Sequence, residues 1–301
     1  MCDVAKIIVN LALKKAKKQQ RPTGEVNYPA LRQTEIDRQA NFKLPEGIIL
    51  KEKSLANVAC LEARKEGNKE DSLLIYIHGG GFTAGSSKAR LPFITALATT
   101  CHLNVLSIDY SLSPEAIYPQ ALNDCQKVYE EILKKFDSRR IALIGESAGG
   151  NLVLALALKL KDEKIALPSC LIALSPVTQL DYLTESYTKN AKHDYVVSKE
   201  MSEEVLKVYL GGDRVKAKEA YASPLYGDLK GLPPIFLNAS DQEVLEDDSR
   251  LFYQKAVASG VEVQFSLAHH EQHIYSLIPV LKSAQKLYKN IDKFLESKIS
   301  H

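Results

Sequence analysis

A single serine stands among glycines in the segment GESAGG, residues 145–150. An apolar run precedes it and an apolar run with helical spacing follows, so Ser147 is predicted to lie at a strand-to-helix corner. Such a corner exposes the serine hydroxyl, and the start of the helix favours developing negative charge beside it. The pattern indicates a nucleophilic serine; the alternative is a glycine-rich turn with a capping serine.

A second glycine-rich segment, HGGGF at residues 78–82, follows the apolar run SLLIYI. Three consecutive glycines expose backbone N–H groups without side chains in the way, and such groups can hold an oxyanion. A phosphate-binding loop is excluded because no Gly-Lys-Ser/Thr follows, and neither glycine-rich segment reads G-x-G-x-x-G as a dinucleotide-binding loop would. His78 precedes the glycines at the strand end, and we expect it to brace the loop rather than act as a base.

A serine nucleophile needs a histidine base and a carboxylate that orients the base, and at this kind of corner the chain order is serine, acid, histidine. The histidines after Ser147 are His193, His269, His270, His273 and His301. His273 lies nearest the start of the last predicted helix and is the predicted base. Structural or rim roles are predicted for His269 and His270, either of which is the alternative base.

The acid is expected just after the apolar run PPIFLNA. The carboxylates there are Asp241, Glu243, Asp247 and Asp248. Asp247 and Asp248 fall inside the next predicted helix, where we expect them to cap it or face solvent. Asp241 and Glu243 compete for the acid role.

Strands and helices alternate along most of the chain. The strand-like segments are GIILKEKSL, NVACLEAR, SLLIYIHGGG, NVLSIDY, RIALIGE, CLIALSP, PPIFLNA and VEVQFSL. Helical spacing covers residues 88–101, 119–136, 148–161, 245–259 and 274–296. The alternation predicts an α/β fold, a mostly parallel eight-stranded sheet with helices on both faces.

One connection, between CLIALSP and PPIFLNA, is too long and polar for a single crossover helix. Within it, SKEMSEEVLKVYLGG is predicted to be a helix that Ser198 caps and Gly211 ends. An insertion at the carboxyl end of a strand lies over the site end of a parallel sheet. We therefore interpret residues 179–221, with residues 1–45, as a helical cap. The catalytic core is then 46–178 and 222–301.

The first twenty residues, MCDVAKIIVNLALKKAKKQQ, place Val4, Ile7, Ile8 and Leu11 on one face of a predicted helix. The lysines follow the apolar part, the reverse of a secretory signal, and no cleavage site follows. We favour a helix that docks on its own protein over one that lies on a membrane surface.

Composition narrows the class of protein. The net charge of +2 gives no indication of nucleic-acid binding. No apolar run reaches the roughly 18 residues needed to span a bilayer, and no stable membrane association is expected. The cysteines are Cys2, Cys60, Cys101, Cys125 and Cys170. Their odd number and wide spacing disfavour a disulfide framework or a zinc site, and indicate buried thiols in a cytoplasmic protein.

Several segments together resemble the hormone-sensitive-lipase branch of the α/β-hydrolase fold, which contains the bacterial short-chain carboxylesterases. They are HGGGF, DYSLSPEAIYPQAL, GESAGG, SPLYGDLKGLPPIFLNAS, EVLEDD and the late His273. The likeness covers nearly the whole chain from Ile48, and the N-terminal region and the insertion are similar to the cap of that family.

The resemblance implies roles for individual residues. EVLEDD matches one subgroup at the acid position, which implies Glu243 as the acid and leaves Asp241 as the minority candidate. Gly80, Gly81 and Ala148 are implied to supply the N–H groups of the oxyanion hole. No metal or organic cofactor is implied.

His78, Phe82 and Tyr110 are expected to support the substrate site. The segment DYSLSPE departs from the usual D-Y-R-L-A-P-E at Ser111 and Ser113. Because this segment supports the site and takes no part in the chemistry, we expect altered packing around Tyr110 and an intact mechanism.

The resulting hypothesis is a serine carboxylesterase for short-chain esters of small molecules, acetyl to butyryl. The alternatives are an arylformamidase or amidase with the same site, and a non-catalytic small-molecule binding protein. A lipase would need a large exposed apolar lid, and the insertion is highly polar. VEVQFSL is predicted to be an edge strand, and the resemblance implies that two copies pair through it as a homodimer.

Overall fold

The computed structural model describes residues 4–19 and 26–299, and within them eight strands form one sheet. The strands are β1 (Ile48–Leu55), β2 (Val58–Lys65), β3 (Lys69–Ile77), β4 (Leu103–Asp109), β5 (Ile141–Glu146), β6 (Cys170–Leu174), β7 (Ile235–Ser240) and β8 (Val263–Ala268). Their order is β1-β2-β4-β3-β5-β6-β7-β8; β1, β2 and β4 pair antiparallel and all later neighbours pair parallel. The mostly parallel eight-stranded sheet predicted from the sequence is confirmed.

Helices cover both faces of this sheet. They are α1 (Val4–Gln19), α2 (Tyr28–Asp37), α3 (Leu91–Thr100), α4 (Gln120–Leu133), α5 (Ala148–Asp162), α6 (Ser186–Lys189), α7 (Lys199–Tyr209), α8 (Glu246–Ala258) and α9 (Lys282–Lys298). Alternate residues of β3 enter two separate apolar clusters: Ile75 packs in the cluster with α4 and α5, and Leu74 in the cluster with α3 and α9. The period of two along a strand therefore builds one core on each face.

Each of the five predicted helical ranges contains a helix, but the last helix starts later than predicted. α9 begins at Lys282 instead of residue 274. Pro279 lies between the two positions; it has no N–H to donate and disfavours helical angles at Ile278.

Strand register brings the proposed site segments together at one edge of the sheet. Ile77 at the end of β3 pairs with Gly145 near the end of β5, so the two glycine-rich segments emerge side by side. Ser240 at the end of β7 pairs with Ala268 at the end of β8, so the loops that follow these strands are also neighbours. The carboxyl ends of parallel strands share an edge, which is where α/β proteins bind their ligands.

The insertion contains the helix expected from its sequence. Ser198 caps α7, and its side chain accepts a hydrogen bond from the Met201 N–H. Gly211 has a φ of +64° just after the helix. The amide of Asn151 on α5 donates to the carbonyls of Val177 and Ala222, each at 2.9 Å, close to where the insertion leaves and rejoins the sheet. The division of the chain into cap and core stays a prediction.

The N-terminal helix α1 docks on the protein, but not through its most apolar face. Ala5 and Val9 pack against the core, while Val4, Ile7, Ile8 and Leu11 are between 47% and 65% exposed. The expectation that these four residues form the docking face is wrong. Lysines hold the helix instead: Lys6 pairs with Glu271 at 2.6 Å, and Lys17 Nζ lies 2.8 Å from the carbonyl of Ala191.

No helix in the described parts of the chain is both long and apolar enough to cross a membrane. The four cysteines within these parts are Cys60, Cys101, Cys125 and Cys170, and each is a free, buried thiol. Burial raises the pKa of Cys60 and of Cys170 to about 12, which leaves these thiols unreactive at neutral pH. The buried-thiol interpretation is confirmed for these four; Cys2 lies outside the described residues, and the cytoplasmic location stays a prediction.

Candidate active site

Ser147 occupies a strained corner between β5 and α5. Its backbone angles are φ 55° and ψ −119°, a conformation that residues with a Cβ rarely adopt. The corner is held by backbone hydrogen bonds: the Ser147 N–H donates to the Leu174 carbonyl at 2.9 Å, and its carbonyl accepts from the Asn151 N–H at 3.0 Å. The hydroxyl is therefore presented at the carboxyl end of the sheet, as the GESAGG pattern predicts.

The glycines on either side of Ser147 allow β3, β5 and α5 to approach closely. A Cβ on Gly149 would lie 2.0 Å from the carbonyl oxygen of Ile77, and a Cβ on Gly145 would lie 2.4 Å from that of Gly149. Both contacts are with backbone atoms, which cannot swing away as a flexible side chain would. The corner thus requires glycine at both positions.

His273 lies between a serine and a carboxylate. Its Nε2 is 3.0 Å from the Ser147 hydroxyl oxygen, and its Nδ1 is 2.6 Å from Oε2 of Glu243. The other oxygen of Glu243 accepts the Ser240 N–H at 2.8 Å, which fixes the carboxylate in place. Glu243 is fully buried, and only 3% of His273 and 9% of Ser147 are exposed. Ser147, His273 and Glu243 thus form a hydrogen-bonded relay in the order of a nucleophile, a base and an acid.

Charges near His273 set its basicity. Burial alone lowers the pKa of His273, but the hydrogen bond to Glu243 and the negative charges of Glu243, Asp194 and Glu146 together raise it above its ordinary value. A more basic ring accepts the serine proton more readily, and the nearby carboxylates stabilise the imidazolium that results.

Asp241 lies two residues before Glu243 but binds other groups. Its Oδ2 is 2.9 Å from Nδ1 of His269, and its Oδ1 accepts the His270 N–H at 2.7 Å. The His269 side chain is 71% exposed, so this pair is at the surface. The structure thus brings Glu243, and not Asp241, to His273. His193 is also exposed, and His301 lies outside the described residues.

The sequence predicts that Asp247 and Asp248 in the first turn of α8 cap the helix or face solvent, and for Asp248 this is wrong. Asp248 is fully buried and accepts the N–H groups of Thr178, at 2.8 Å, and Gln179, at 3.2 Å. Burial raises the pKa of Asp248 to about 8. Asp247 accepts the Ser186 N–H at 2.8 Å. Both carboxylates accept backbone N–H groups of the chain that follows β6, and Asp247 remains half-buried.

The HGGGF loop folds tightly beside the serine corner. Gly80 and Gly81 have φ values of +120° and +61°, and a Cβ on Gly80 would lie 2.3 Å from the Ala84 carbonyl oxygen. The Gly79 N–H is already used by Glu146 Oε1 at 2.7 Å. Ala148 is the first residue of α5, so its N–H has no partner within the helix. That Gly80, Gly81 and Ala148 supply the N–H groups of an oxyanion hole stays a prediction.

The buried side chains of His78 and Tyr110 pack against each other and support this loop. The Tyr110 hydroxyl donates to the His78 carbonyl at 2.8 Å, and the two rings stack with centroids 4.3 Å apart. His78 Nδ1 lies 2.9 Å from the carbonyl of Gly79. Burial is the main cause that lowers the pKa of His78, so the ring remains neutral inside the protein. These contacts are those of a bracing residue.

The segment that departs from the family pattern packs against α2. The Ser111 N–H donates to Asp124 at 3.0 Å, and the Ser113 hydroxyl donates to the Ala116 carbonyl at 2.8 Å. Arg32 of α2 reaches the carbonyls of Ser113, at 2.7 Å, and Thr83, at 2.8 Å. An arginine from α2 thereby joins this segment to the HGGGF loop.

Glu146, a buried carboxylate that no sequence prediction singled out, links the two glycine-rich segments and pairs with Arg90. Glu146, directly before the serine, accepts hydrogen bonds from the Tyr76 hydroxyl at 2.8 Å, the Gly79 N–H at 2.7 Å and Arg90 Nε at 3.1 Å. A buried carboxylate requires such partners because an unpaired charge is costly to desolvate. The available signal was a glutamate at the end of the otherwise apolar strand RIALIGE.

The helix α7 of the insertion forms a roof over the HGGGF loop. Phe82 stacks on Tyr209 with ring centroids 3.7 Å apart and an interplanar angle of 5°. Val205 Cγ2 lies 2.9 Å from the position that a Cβ on Gly81 would take. The roof therefore lies close to the backbone donors.

Within the described ranges, no cluster of His, Cys, Asp and Glu has the arrangement of a metal site.

Comparison with known proteins agrees with this geometry. A family model described as the α/β hydrolase fold matches residues 74–277, more than half of the chain. An esterase of Acinetobacter venetianus is 38% identical over 196 residues, which are 65% of this chain and 64% of that protein, just under two thirds of its length. An acetyl-hydrolase of Streptomyces hygroscopicus is 29% identical over 78% of this chain and 77% of that protein.

A solved structure matches the whole chain. The crystal structure of an esterase from the bacterial hormone-sensitive lipase family superposes with a TM-score of 0.92 at 28% identity, and the match covers 100% of both chains. Fold, site geometry and sequence similarity agree, and the chain therefore belongs to the α/β-hydrolase family, in the hormone-sensitive-lipase branch of carboxylic ester hydrolases.

Proposed function

We propose that this protein hydrolyses short-chain acyl esters of small molecules through Ser147, His273 and Glu243. One observation carries the proposal: the two nitrogens of the His273 ring lie 3.0 Å from the Ser147 hydroxyl and 2.6 Å from Glu243. A ring held in this way can remove the serine proton on one side while a carboxylate stabilises its charge on the other.

The reaction would proceed through an acyl-enzyme. His273 removes the proton of Ser147 as the serine oxygen attacks the ester carbonyl, and Glu243 stabilises the imidazolium. The N–H groups of Gly80, Gly81 and Ala148 hold the oxyanion. The tetrahedral intermediate collapses, and His273 protonates the departing alcohol. Water, activated by the same ring, then attacks the acyl-enzyme and releases the acid.

The low roof supports a preference for short acyl groups, from acetyl to butyryl. Val205 of α7 approaches Gly81, and Tyr209 of α7 stacks on Phe82 of the loop, so α7 packs directly against the HGGGF loop and limits the space for an acyl chain beside it. The relative from Streptomyces hygroscopicus is named an acetyl-hydrolase, which supports the same preference.

A p-nitrophenyl ester series from acetyl to dodecanoyl tests this proposal. We expect kcat/KM to be highest at acetyl or butyryl, and Ser147→Ala to lower kcat by about 10⁴- to 10⁶-fold. Ser169→Ala is a matched control, since this hydroxyl binds the Ile141 carbonyl at the opposite end of β5. Well-folded wild-type protein without activity on any ester would reject the esterase proposal.

We also propose that two copies pair through β8, as the sequence predicts for VEVQFSL. β8 is at the edge of the sheet, beside β7, and within it Gln264 is exposed. An unpaired edge offers N–H and carbonyl groups to a second copy. Light scattering of the wild type should give twice the mass of one chain, and Gln264→Lys, which places a charge on this edge strand, should reduce this to a single chain. A monomeric wild type would exclude the dimer.

A further inference from the structure

A short segment of the insertion, residues 193–197, contacts the loop that carries Glu243. Asp194 in this segment is fully buried. Its Oδ1 accepts the N–H groups of Val196 and Val197, both at 2.8 Å, and its Oδ2 accepts the Val244 N–H at 3.0 Å. Val244 directly follows Glu243, so one carboxylate joins the insertion to the residue next to the proposed acid.

The same segment contacts the loop that carries His273. The Tyr195 N–H donates to Gln272 Oε1 at 2.7 Å, and Gln272 Nε2 donates to the His193 carbonyl at 3.1 Å. Gln272 directly precedes His273. Residues 193–197 therefore hold both loops, each through a residue adjacent to the relay.

Asp194 also contributes charge. Three carboxylates raise the pKa of His273: Glu243, through a hydrogen bond and its charge, and Asp194 and Glu146, through charge alone. The charged groups farther out are already engaged, because Lys6 pairs with Glu271 and the ammonium of Lys17 contacts the backbone carbonyl of Asp194. The contact of Lys17 is with the Asp194 carbonyl and leaves the carboxylate charge in place. That charge therefore acts on the buried His273 ring.

We propose that Asp194 is a positioning residue of the relay, which holds the Val244 N–H, and hence Glu243, in register with His273 and stabilises the protonated ring by its charge. Asp194 thereby makes the reactive geometry depend on residues 193–197. This inference rests on the proposed roles of Ser147, His273 and Glu243.

The pH profile of Asp194→Asn tests both parts of the inference. Asparagine has nearly the same size but no charge, and its NH₂ group cannot accept the N–H bonds. We expect kcat to fall by about 10- to 100-fold while KM changes by less than about threefold. The ring must be unprotonated to act as a base, so activity is lost as the pH falls through the pKa of His273. Loss of the charge lowers that pKa, and the acid limb of kcat/KM should move to lower pH.

The matched control is Asp213→Asn. Asp213 is an exposed carboxylate of the same insertion that also accepts a backbone N–H, that of Val215, at 3.0 Å. It should leave kcat and the acid limb unchanged. A wild-type kcat in Asp194→Asn, or a reduced kcat with an unmoved acid limb, would overturn the inference.

Gln272→Met keeps the inference testable if Asp194→Asn does not fold. Methionine removes both side-chain hydrogen bonds to residues 193–197 without a change in charge, so kcat should fall and the acid limb should stay in place. An unchanged kcat in Gln272→Met would overturn the holding role. Ser147→Ala separates the two proposals: if it keeps activity, the proposed function fails, and if it is inactive while Asp194→Asn is normal, only this inference fails.

Discussion

The serine corner and the acid and histidine loops are held in place by different means. Around Ser147, backbone atoms of β3, β5 and α5 contact one another so closely that a single methyl group would clash. Around Glu243 and His273, side chains of distant residues make the contacts: Asn190 donates to the Glu243 carbonyl at 2.9 Å, and Asp194 accepts the Val244 N–H at 3.0 Å.

The serine corner is therefore held by the shape of the main chain, and the two loops are held by hydrogen bonds of individual side chains. The corner tolerates few residue types because main-chain atoms fill the space and cannot be moved without shifting a strand or helix. The loops depend on individual hydrogen bonds. Loss of any one of them changes the position or the charge around Glu243 and His273 by only a small amount. We therefore expect changes in the loops to alter catalysis in a folded protein, and changes of the glycines in the corner to alter stability.

Among changes in the two loops, Glu243→Gln is expected to have the largest effect, and that effect is on catalysis. Glutamine removes the charge next to His273. Its NH₂ group can also face Nδ1 of His273 and favour the tautomer with the proton on Nε2, which cannot accept the serine proton, so kcat should fall by about 10³- to 10⁴-fold. Loss of the Glu243 hydrogen bond and charge also lowers the pKa of His273, so the acid limb of kcat/KM should move to lower pH. Steady-state kinetics across pH on a p-nitrophenyl ester would measure both effects.

Asp241→Asn is the comparison for that experiment, because Asp241 is two residues away and binds His269 and His270. Its kcat should stay within about twofold of the wild type. If Asp241→Asn were the variant with the large loss, Asp241 would be the acid and the assignment of Glu243 would fail.

A smaller effect, on stability, is expected for Gly149→Ala. The new Cβ would lie 2.0 Å from the Ile77 carbonyl oxygen, so α5 must move away from β3. We expect a loss of about 3 kcal/mol in the free energy of unfolding, measured by urea denaturation. Gly67→Ala is the control: it has a φ of +85° but open space around it, and should cost about 1 kcal/mol. Equal losses in the two variants would contradict the steric account of the corner.

The smallest expected effect concerns the roof. Val205→Ala removes the methyl groups that lie above Gly81, so the ratio of kcat/KM for hexanoyl over acetyl ester should rise by about threefold to tenfold. Val215→Ala, at a valine of the insertion that is 79% exposed, should leave the ratio unchanged. A ratio that falls in Val205→Ala would show that the roof does not limit acyl length.

The order of elements could be read from the chain because strand and helix periodicities are local. The strands, the serine corner and the HGGGF loop are all contained in segments of a few residues, and the cap of α7 by Ser198 is equally local. The face of α1 was predicted wrongly because helical spacing shows which residues share a face but not which face meets the protein.

Other features depend on residues far apart in the chain. The partner of Glu146 is Arg90, 56 positions away, and no local pattern joins the two. The contact of Asp194 with Val244 spans 50 positions. Burial of Asp248 also could not be predicted, since the N–H groups it accepts belong to Thr178 and Gln179.

The sequence by itself determined the alternating α/β sheet, the serine corner and the region that supplies the base, because these depend on short-range periodicity and on where glycine is sterically required. The resemblance of EVLEDD implies Glu243 as the acid, but the residues alone left Asp241 and Glu243 open, and the tertiary structure shows that Glu243 meets His273. Asp241 and Glu243 follow the same strand two positions apart, and the Ser240 N–H and the register of β7 with β8 direct Glu243 inward and Asp241 to the surface. The Ser240 N–H acts within a single segment, whereas the meeting of Glu243 with His273, 30 positions away, requires the loops after β7 and β8 to pack together.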